Sequence, residues 1–329
     1  MKCLCCGKEL LENASPQEIA SQWHSSCVRK FFGTSALPEL DLSEESLLQI
    51  ATESTNRGFT VPGVQKKLSL HLTTTGGRPR LTLVNYPTGY ILKPQTEEYE
   101  ALPESEYLVM RMAQESGIST VPFALIPLSK DIPQKAYITR RIDRILPTRK
   151  NSELQLLAME DFCQLERRLT ENKYQGSYER CAKVISRYSQ RPGLDLSELF
   201  LRIVFSFIVG NSDMHLKNFS LIETSPGSQR YVLSEAYDLL PVNIILPEDD
   251  EQLALTLNEK KHNIHRNDFL KFAETSGIAR EAALKMIQKL LSMQDSYLRI
   301  CEDSDLSSHL KDRFSSLIEE RINALRPGN

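Results

Sequence analysis

The apolar residues of this 329-residue chain change their spacing near residue 146, and this change constrains the fold more than any other feature. Before it, short apolar runs alternate with glycine turns, which is typical of strands, and one helix ends at Gly117. The predicted strands are 67–72, 81–84, 90–93, 121–128 and 136–142, and the helix is 102–117. After residue 146 the spacing predicts helices at 156–169, 178–188, 196–209, 268–274 and 280–302. An α+β fold with a small β-rich lobe and a larger helical lobe is predicted.

The bulk properties exclude several classes of protein. A net charge of -3 argues against binding nucleic acid through overall charge. The longest apolar stretch, 199–209, is interrupted by Arg202 and Ser206 and is too short to span a bilayer. Residues 1–10 show no apolar leader. We therefore expect a cytoplasmic protein with no membrane partner.

Cysteines cluster at the start of the chain, and four of the seven lie before residue 28. A CxxC and an HxxC pair are formed by Cys3, Cys6, His24 and Cys27. Four such ligands in two close pairs are typical of tetrahedral zinc, so residues 1–35 are predicted to form a Cys/His knuckle. Cys5 is the spare thiol, although a register that uses it stays open. The alternative is a small helical cap of reduced thiols packed around Trp23.

A polar loop after the apolar run 200–209 carries Asp213 and Asn218, five residues apart. This DxxxxN spacing occurs in phosphoryl-transfer loops, where the Asp accepts the substrate hydroxyl proton and the Asn holds magnesium. The ordinary alternative is that both side chains cap turns.

Other elements of a nucleotide site precede this loop in a fixed order. The segment 57–67 carries Gly58 and Gly63, which would let backbone N–H groups approach phosphates. Lys93 ends a predicted strand, where a phosphate-binding lysine is expected, and Glu106 on the next helix is its expected partner. The alternatives are a plain turn, a surface lysine and a carboxylate that complements the helix dipole.

The remaining two elements are a hinge and a second metal ligand. Backbone groups near Arg140 and Ile142 are expected to bind adenine, and Asp143 is available for ribose or for a structural arginine. A strand pair at 218–223 and 230–233 is predicted to bring Asp238 back beside Asn218 as the second magnesium ligand. Six elements in this order favour phosphoryl transfer over a purely structural reading.

These motifs resemble the HipA family of serine/threonine kinase toxins, and most closely its short members of the HipT type. The matching segments are 63–69, 90–94, 104–107, 141–144, 160–164, 174–176, 211–219 and 237–239, within a region from about 57 to 300. The resemblance implies a two-lobed protein-kinase-like fold and an enzyme that requires ATP and Mg²⁺. It implies the following roles: Asp213 as catalytic base, Asn218 and Asp238 as magnesium ligands, Lys93 as phosphate contact, His215 and Lys217 as residues that shape the loop, and Gly63, Val64 and Gln65 as the ATP-binding glycine loop.

The resemblance also implies partners and a modification. Family members phosphorylate aminoacyl-tRNA synthetases and are held by an antitoxin that often contains a helix-turn-helix, so DNA contact is expected only through that partner. Long members carry a further N-terminal subdomain, expected here to be absent or supplied by a separate small protein. Short members autophosphorylate before the glycine loop, where Thr60 fits by position, Pro62 accepts no phosphate, and Ser54 and Thr55 are fallbacks.

We therefore expect three segments: the knuckle at 1–35, a nucleotide-binding lobe at 36–145 and a catalytic lobe at 146–329. Three other functions remain open. The chain is alternatively a small-molecule or lipid phosphotransferase of related fold, a nucleotide-binding pseudokinase regulator, or a zinc module that recruits nucleic acid. Few basic residues in the knuckle disfavour the last of these.

Overall fold

The computed structural model describes residues 1–41, 67–74, 78–83, 88–128, 134–146 and 154–327. The chain divides into two compact units. The first comprises residues 1–107 and 121–154, and the second comprises residues 108–120 and 155–329. Across the described ranges, no helix combines the length and apolarity needed to cross a membrane.

The described residues of the first unit form two complete helices, both short, and a six-stranded sheet. Its helices are α1 (Pro16–Ser21) and α2 (Ser25–Phe32). Its strands are β1 (Glu39–Asp41), β2 (Leu68–Thr73), β3 (Arg80–Thr82), β4 (Tyr90–Lys93), β5 (Phe123–Pro127), β6 (Lys135–Arg140) and β7 (Arg144–Ile145). The first six form one sheet in the order β1-β3-β2-β4-β6-β5.

The sheet explains the period-two pattern of the sequence. In β2, Leu68 and Leu70 are buried, whereas Ser69 between them is exposed. All pairs in the sheet are antiparallel except the parallel pair of β1 with β3. The predicted strands are confirmed within one to three residues at their ends. Strand β1 was not predicted, because three residues are too few to show a period.

Helix α3 (Leu102–Glu115) begins in the first unit, and its residues from 108 onward belong to the second. Gly117 ends it at φ 76°, with its N–H donating to Gln114 and the next N–H, from Ile118, donating to Ala113. The glycine terminus inferred from the sequence is confirmed.

The second unit contains the rest of the helices and four short strands. These elements are β8 (Gln155–Leu156), β9 (Met159–Asp161), α4 (Phe162–Leu165), a 3₁₀ turn (Thr170–Asn172), α5 (Tyr178–Tyr188), α6 (Pro192–Ile208), a second 3₁₀ turn (Leu216–Asn218), β10 (Ser220–Glu223), β11 (Tyr231–Leu233), α7 (Val242–Ile245), α8 (Arg266–Thr275), α9 (Arg280–Leu291), α10 (Gln294–Glu302) and α11 (Ser308–Ala324). Strands β9, β10 and β11 form an antiparallel sheet.

Helix α6 is the centre of this unit. Every residue from Leu199 to Ile208 is buried, as expected for a helix enclosed on all sides. Its aromatic rings pack on α8 and α10, for example Phe205 against Tyr297 with ring centroids 6.1 Å apart. One charged residue lies within this run. Arg202 donates to Glu198 at 2.9 Å and to the Ser234 carbonyl at 2.7 Å, which compensates its burial.

The helix predicted at 156–169 is wrong except over Phe162–Leu165. Residues Met159–Asp161 form a strand because they pair with β10, a long-range interaction that the local apolar spacing does not reveal. The helix starts only at Phe162, since Asp161 and Gln164 form a capping box there. The helix predicted at 280–302 is two helices, α9 and α10, that meet near Ser292.

A glycine after α6 sets the start of the next loop. Gly210 has φ 66°, and a Cβ there would overlap the Leu317 side chain; Gly227 has a similar φ of 73° with open space around it. We expect Gly227→Ala to cost about 1 kcal/mol of unfolding free energy through backbone strain alone. Gly210→Ala should cost about 1–3 kcal/mol more, because the Leu317 and Asn243 side chains must also move. Urea unfolding followed by circular dichroism measures both losses, and equal losses would contradict the packing argument.

Candidate active site

The first unit holds a buried ion pair between Lys93 and Glu106. Lys93 is the last residue of β4, and Glu106 lies on the first turns of α3. The Lys93 Nζ is 2.6 Å from a Glu106 carboxylate oxygen, and the two residues are 3% and 0% exposed. The Nζ also lies 5.3 Å from the centre of the Tyr137 ring, on the neighbouring strand β6.

A buried ion pair of this kind contributes little net stability to a fold. Removing two charges from water costs several kcal/mol per ion, and apolar residues of similar size often serve the fold as well. A strand lysine paired with a helix glutamate is, however, the arrangement that positions nucleotide phosphates in kinases. The geometry therefore fits a functional role.

The predicted hinge follows β6. Arg140 ends this strand, and its N–H donates to the Pro122 carbonyl at 3.0 Å; proline has no N–H to return to the Arg140 carbonyl. Asp143 accepts two hydrogen bonds from the Arg141 guanidinium at 2.8 and 2.9 Å. Although burial opposes ionisation, these bonds and the arginine charge hold the pKa of Asp143 below its ordinary value. Asp143 is thus bonded to a structural arginine, which is the predicted alternative to a ribose contact. Ile142 lies between Arg141 and Asp143 in the sequence and is partly exposed.

In the second unit, Asp213 and Asn218 are tied together within one short loop. The Asn218 side-chain N–H donates to the Asp213 backbone carbonyl at 2.8 Å, and the His215 N–H donates to the same carbonyl at 2.8 Å. The His215 Nε2 lies 3.8 Å from the Asp213 carboxylate. Because the Asn218 amide nitrogen is used in this way, its amide oxygen is the atom suited to a metal ion.

Tyr174 hydrogen-bonds directly to the Asp213 carboxylate through its hydroxyl. Burial and the nearby Asp213 charge raise the pKa of Tyr174 well above its usual value, so the phenol remains a donor at working pH. Its ring meets the His215 ring edge-on, with centroids 5.0 Å apart. Sequence reasoning gave Tyr174 no role, because it is 39 residues from Asp213 and no local pattern links them.

Lys217 is held at the other side of the loop. Its Nζ is 2.7 Å from the Asp161 carboxylate, which also caps α4. The Lys217 backbone carbonyl accepts a hydrogen bond from the Tyr237 hydroxyl at 3.1 Å. Asp161 was also not assigned a role from the sequence, since its partner is 56 residues away.

Asp238 follows Tyr237 in an unusual backbone conformation. Its φ is 60°, in the left-handed region that a non-glycine residue adopts at an energetic cost. Outliers of this kind concentrate at functional sites, where surrounding structure holds them in place. Seven other described non-glycine residues also have a positive φ, so the conformation by itself does not mark Asp238 as functional.

A polar network supports the base of the loop. The Ser212 hydroxyl donates to Asp249 at 2.6 Å, and the Asn243 amide donates to the Asp249 and Glu251 carbonyls at 2.9 and 3.1 Å. Lys261 closes the network on the Glu251 carboxylate at 2.8 Å. Within the acidic run 249–251, the Asp249 side chain and the Asp249 and Glu251 carbonyls therefore help to hold the segment before Asp213.

The Cys/His knuckle brings its four predicted ligands together. The ligand atoms of Cys3, Cys6, His24 and Cys27 all lie within 4.8 Å of one another. The His24 Nδ1 is 3.3 Å from the Cys6 Sγ and 3.9 Å from the Cys27 Sγ. In tetrahedral zinc sites, bond lengths of about 2.0 Å to nitrogen and 2.3 Å to sulfur separate these ligand atoms by about 3.5 Å. The structure thus groups Cys3 and Cys6 with the HxxC pair, without Cys5.

The orientation of His24 also suits a metal ion. Its Nε2 lies 3.2 Å from the Glu9 carbonyl oxygen, which can only accept a hydrogen bond. An N–H donated from Nε2 to this carbonyl would leave the Nδ1 lone pair facing the thiols, which is the orientation that a metal ligand needs. The Cys3 Sγ accepts a hydrogen bond from the His24 backbone N–H at 3.4 Å.

Several predicted residues lie outside the described part of the chain. They are Thr60, its fallbacks Ser54 and Thr55, and the glycine-loop residues Gly58, Gly63, Val64 and Gln65. Their roles stay predictions.

The ion pair of the first unit gives a test of how its charges are balanced. Lys93→Met should cost about 3–5 kcal/mol of unfolding free energy, because it leaves the Glu106 carboxylate buried without its cation. The double variant Lys93→Met, Glu106→Leu should recover most of this loss. Lys135→Met, on the neighbouring strand β6, is the control for loss of a lysine. Denaturant unfolding measures all three, and a double variant no more stable than Lys93→Met would contradict the buried-charge argument.

Comparison with known proteins gives concordant results. The family model of the HipA-like C-terminal domain matches residues 59–297. A Haemophilus influenzae protein named "Putative kinase" is 26% identical over 286 residues, which cover 81% of each chain. The Sinorhizobium fredii proteins "Putative kinase Y4mE" and "Putative kinase Y4dM" are 27% and 29% identical, over 75% and 69% of this chain. Those matches span only 58% and 56% of the two relatives.

Solved structures of low sequence identity share the fold. A chain of the Shewanella oneidensis MR-1 complex of HipA, HipB and operator DNA superposes with a TM-score of 0.70 at 17% identity, covering 86% of this chain and 71% of that one. The Helicobacter pylori proinflammatory kinase CtkA gives a TM-score of 0.51 at 16% identity, covering 74% and 87%. The prediction of a two-lobed kinase-like fold is confirmed. Since the family model spans well over half of the sequence, this chain belongs to the HipA-like C-terminal domain family.

Proposed function

We propose that this chain is an ATP- and Mg²⁺-dependent serine/threonine protein kinase of the short HipT type. The observation that carries the proposal is the loop in which the Asn218 amide is bonded to the Asp213 carbonyl. This bond fixes a carboxylate base and a metal-binding amide oxygen in one rigid element, as phosphoryl transfer requires. The family relationship supports kinase chemistry, since the curated relatives carry kinase names.

In the proposed reaction, the Asp213 carboxylate accepts the proton of a substrate hydroxyl. The Tyr174 hydroxyl donates to that carboxylate, and the His215 Nε2 lies 3.8 Å from the same carboxylate oxygen. Lys217 is anchored by the Asp161 carboxylate. Because little covalent chemistry falls to the protein in phosphoryl transfer, this positioning is its main contribution.

Asn218 and Asp238 are the proposed magnesium ligands. An amide oxygen and a carboxylate are the hard oxygen donors that Mg²⁺ prefers, so the donor set fits this ion. When bound, Mg²⁺ supplies charge neutralisation at the nucleotide phosphates. The strained backbone of Asp238 is consistent with a side chain held in position for such a contact.

The first unit supplies the nucleotide contacts of the proposal. Lys93 would bind the α and β phosphates while Glu106 holds its ammonium group in place. The backbone N–H groups of Gly63, Val64 and Gln65 would cover the phosphates. At the hinge, the Arg140 carbonyl and the Ile142 N–H are the proposed adenine contacts, beside Asp143.

Zinc is the metal proposed for the Cys/His knuckle. Three thiol ligands and one imidazole, within 4.8 Å of one another, form a set that suits Zn²⁺. Four protein ligands leave no open position for a substrate, so a structural role is proposed.

The proposed biological role is that of a cytoplasmic toxin in a toxin-antitoxin system. The Shewanella oneidensis structure contains HipA with HipB and operator DNA, which supports an antitoxin as partner. By the resemblance to short family members, the protein substrate is an aminoacyl-tRNA synthetase, the antitoxin carries a helix-turn-helix that contacts DNA, and a small separate protein similar to the N-terminal subdomain of long members is a further partner.

Loss of the catalytic base tests the proposed reaction. Asp213→Asn keeps the shape of the side chain but removes its ability to accept a proton, so we expect phosphate transfer from radiolabelled ATP to fall at least about a hundredfold. Asp250→Asn, an exposed residue in the acidic run, is the matched control and should retain activity. Expression of the wild type should arrest growth, and toxicity that survives Asp213→Asn would sink the kinase-toxin assignment.

Autophosphorylation gives a second test. We propose that active enzyme modifies Thr60, the residue that fits by position. A phosphate at Thr60, before the glycine loop, would place negative charge beside the ATP phosphates and switch off ATP binding. Phosphopeptide mapping should find Thr60 modified in the wild type and unmodified in Asp213→Asn. Modification of Ser54 or Thr55 alone would move the site, and active enzyme without any modified residue in this segment would refute the idea.

A further inference from the structure

We propose that the zinc-bound Cys/His knuckle is a brace that positions the Lys93–Glu106 pair for nucleotide binding. This inference rests on the proposed function, because it assumes that ATP binds at Lys93. The knuckle itself makes no contact with the nucleotide in this proposal. Every contact that carries it lies within the first unit.

The first contact joins the CxxC loop to helix α3. The Tyr107 hydroxyl donates to the backbone carbonyl of Cys5 at 3.4 Å. Cys5 lies between Cys3 and Cys6, so its carbonyl is fixed once the metal holds those two neighbours. Tyr107 directly follows Glu106 on α3. The metal-bound loop therefore holds the turn of α3 that carries the glutamate.

The second contact joins both halves of the knuckle to strand β5. The Leu125 N–H donates to the Leu4 carbonyl at 2.9 Å, and the Leu125 carbonyl accepts from the Trp23 Nε1 at 3.1 Å. Leu4 lies next to Cys3, and Trp23 lies next to His24. Both partners of this one residue are thus direct neighbours of metal ligands.

The third contact joins helix α2 to strand β4. The rings of Phe31 and Phe32 lie 6.0 and 5.3 Å from the ring of Tyr90, and the Tyr90 hydroxyl donates to the Phe31 carbonyl at 3.4 Å. Trp23 packs on both phenylalanines and is fully buried. Tyr90 begins the strand that Lys93 ends.

The knuckle therefore contacts both elements that carry the ion pair. One contact reaches α3 beside Glu106, and another reaches β4 three residues before Lys93. An ion pair that closes at 2.6 Å in a dry environment tolerates little relative movement of the two elements. A fixed knuckle limits that movement.

A metal ion would add a cross-link to a knuckle that otherwise rests on the packing of Trp23, Phe31 and Phe32. Its two helices have six and eight residues, far below the length at which an isolated helix is stable in water. Binding of zinc in such small modules supplies folding free energy directly.

Four variants of the full chain separate metal binding from bracing. Cys27→Ser removes a ligand, and Cys27→His replaces it with another zinc ligand as the rescue variant. Cys5→Ser changes a thiol in the same loop outside the tetrad and keeps the Cys5 carbonyl. Tyr107→Phe keeps all four ligands and removes the hydrogen bond to that carbonyl.

We expect about one zinc per chain by plasma mass spectrometry in the wild type, Cys5→Ser, Cys27→His and Tyr107→Phe, and none in Cys27→Ser. The KM for ATP should rise about tenfold in Cys27→Ser and about fivefold in Tyr107→Phe, since one hydrogen bond contributes about 1 kcal/mol. The kcat should change by less than about twofold, because the catalytic loop belongs to the other unit. Hydrogen exchange in α3 and β4 should speed up in the same two variants.

Several results would overturn the proposal. These are the absence of stoichiometric zinc from the wild type, iron in place of zinc, and loss of zinc from Cys5→Ser together with its retention in Cys27→Ser. Unchanged hydrogen exchange in α3 and β4 after zinc loss would also overturn it. If Cys27→Ser does not fold, Tyr107→Phe decides the question, and an unchanged KM with unchanged exchange refutes the brace. If zinc protects α3 and β4 while wild type binds no ATP, the brace stands and the proposed kinase function fails.

Discussion

The dry ion pair between Lys93 and Glu106 is the interaction on which the first unit depends. Two opposite charges that are almost fully enclosed impose conditions on everything around them. The strand must end where the lysine can reach, the helix must present its first turns inward, and the neighbouring strand must offer Tyr137 beside the ammonium group. A sheet of short strands meets these conditions only if each strand is held by others, and β4 lies between β2 and β6.

In the second unit, a polar loop is held in place at the end of an apolar helix. Helix α6 is enclosed on all sides, so its end is fixed by packing before the loop begins. Gly210 then turns the chain in a left-handed conformation, and the network around Asp249 holds the next residues. The positions of Asp213 and Asn218 are thus fixed by the packed core of the second unit.

The sequence predicts the candidate catalytic and metal-binding residues better than it predicts the residues that hold them in place. Lys93, Glu106, Asp213 and Asn218 are recognisable because their residue types recur in a fixed order, and the cysteine spacing is informative for the same reason. Tyr174 and Asp161 contact the loop across 39 and 56 residues, so no local spacing reveals them. Strand β9 falls inside a helix predicted at 156–169, because the apolar residues around it have helical spacing and its pairing with β10 is long-range. Helix α11 also escaped prediction.

The knuckle has one more consequence, which concerns solubility. Strand β5 is the last strand of its sheet, and the outward backbone groups of Leu125 are occupied by Leu4 and Trp23. An uncovered edge strand rich in buried apolar residues is a template for pairing with another chain. If the knuckle binds zinc as proposed, a cell short of zinc would hold a protein that binds ATP more weakly and also exposes this edge, and aggregation would remove the unmetallated molecules from the population.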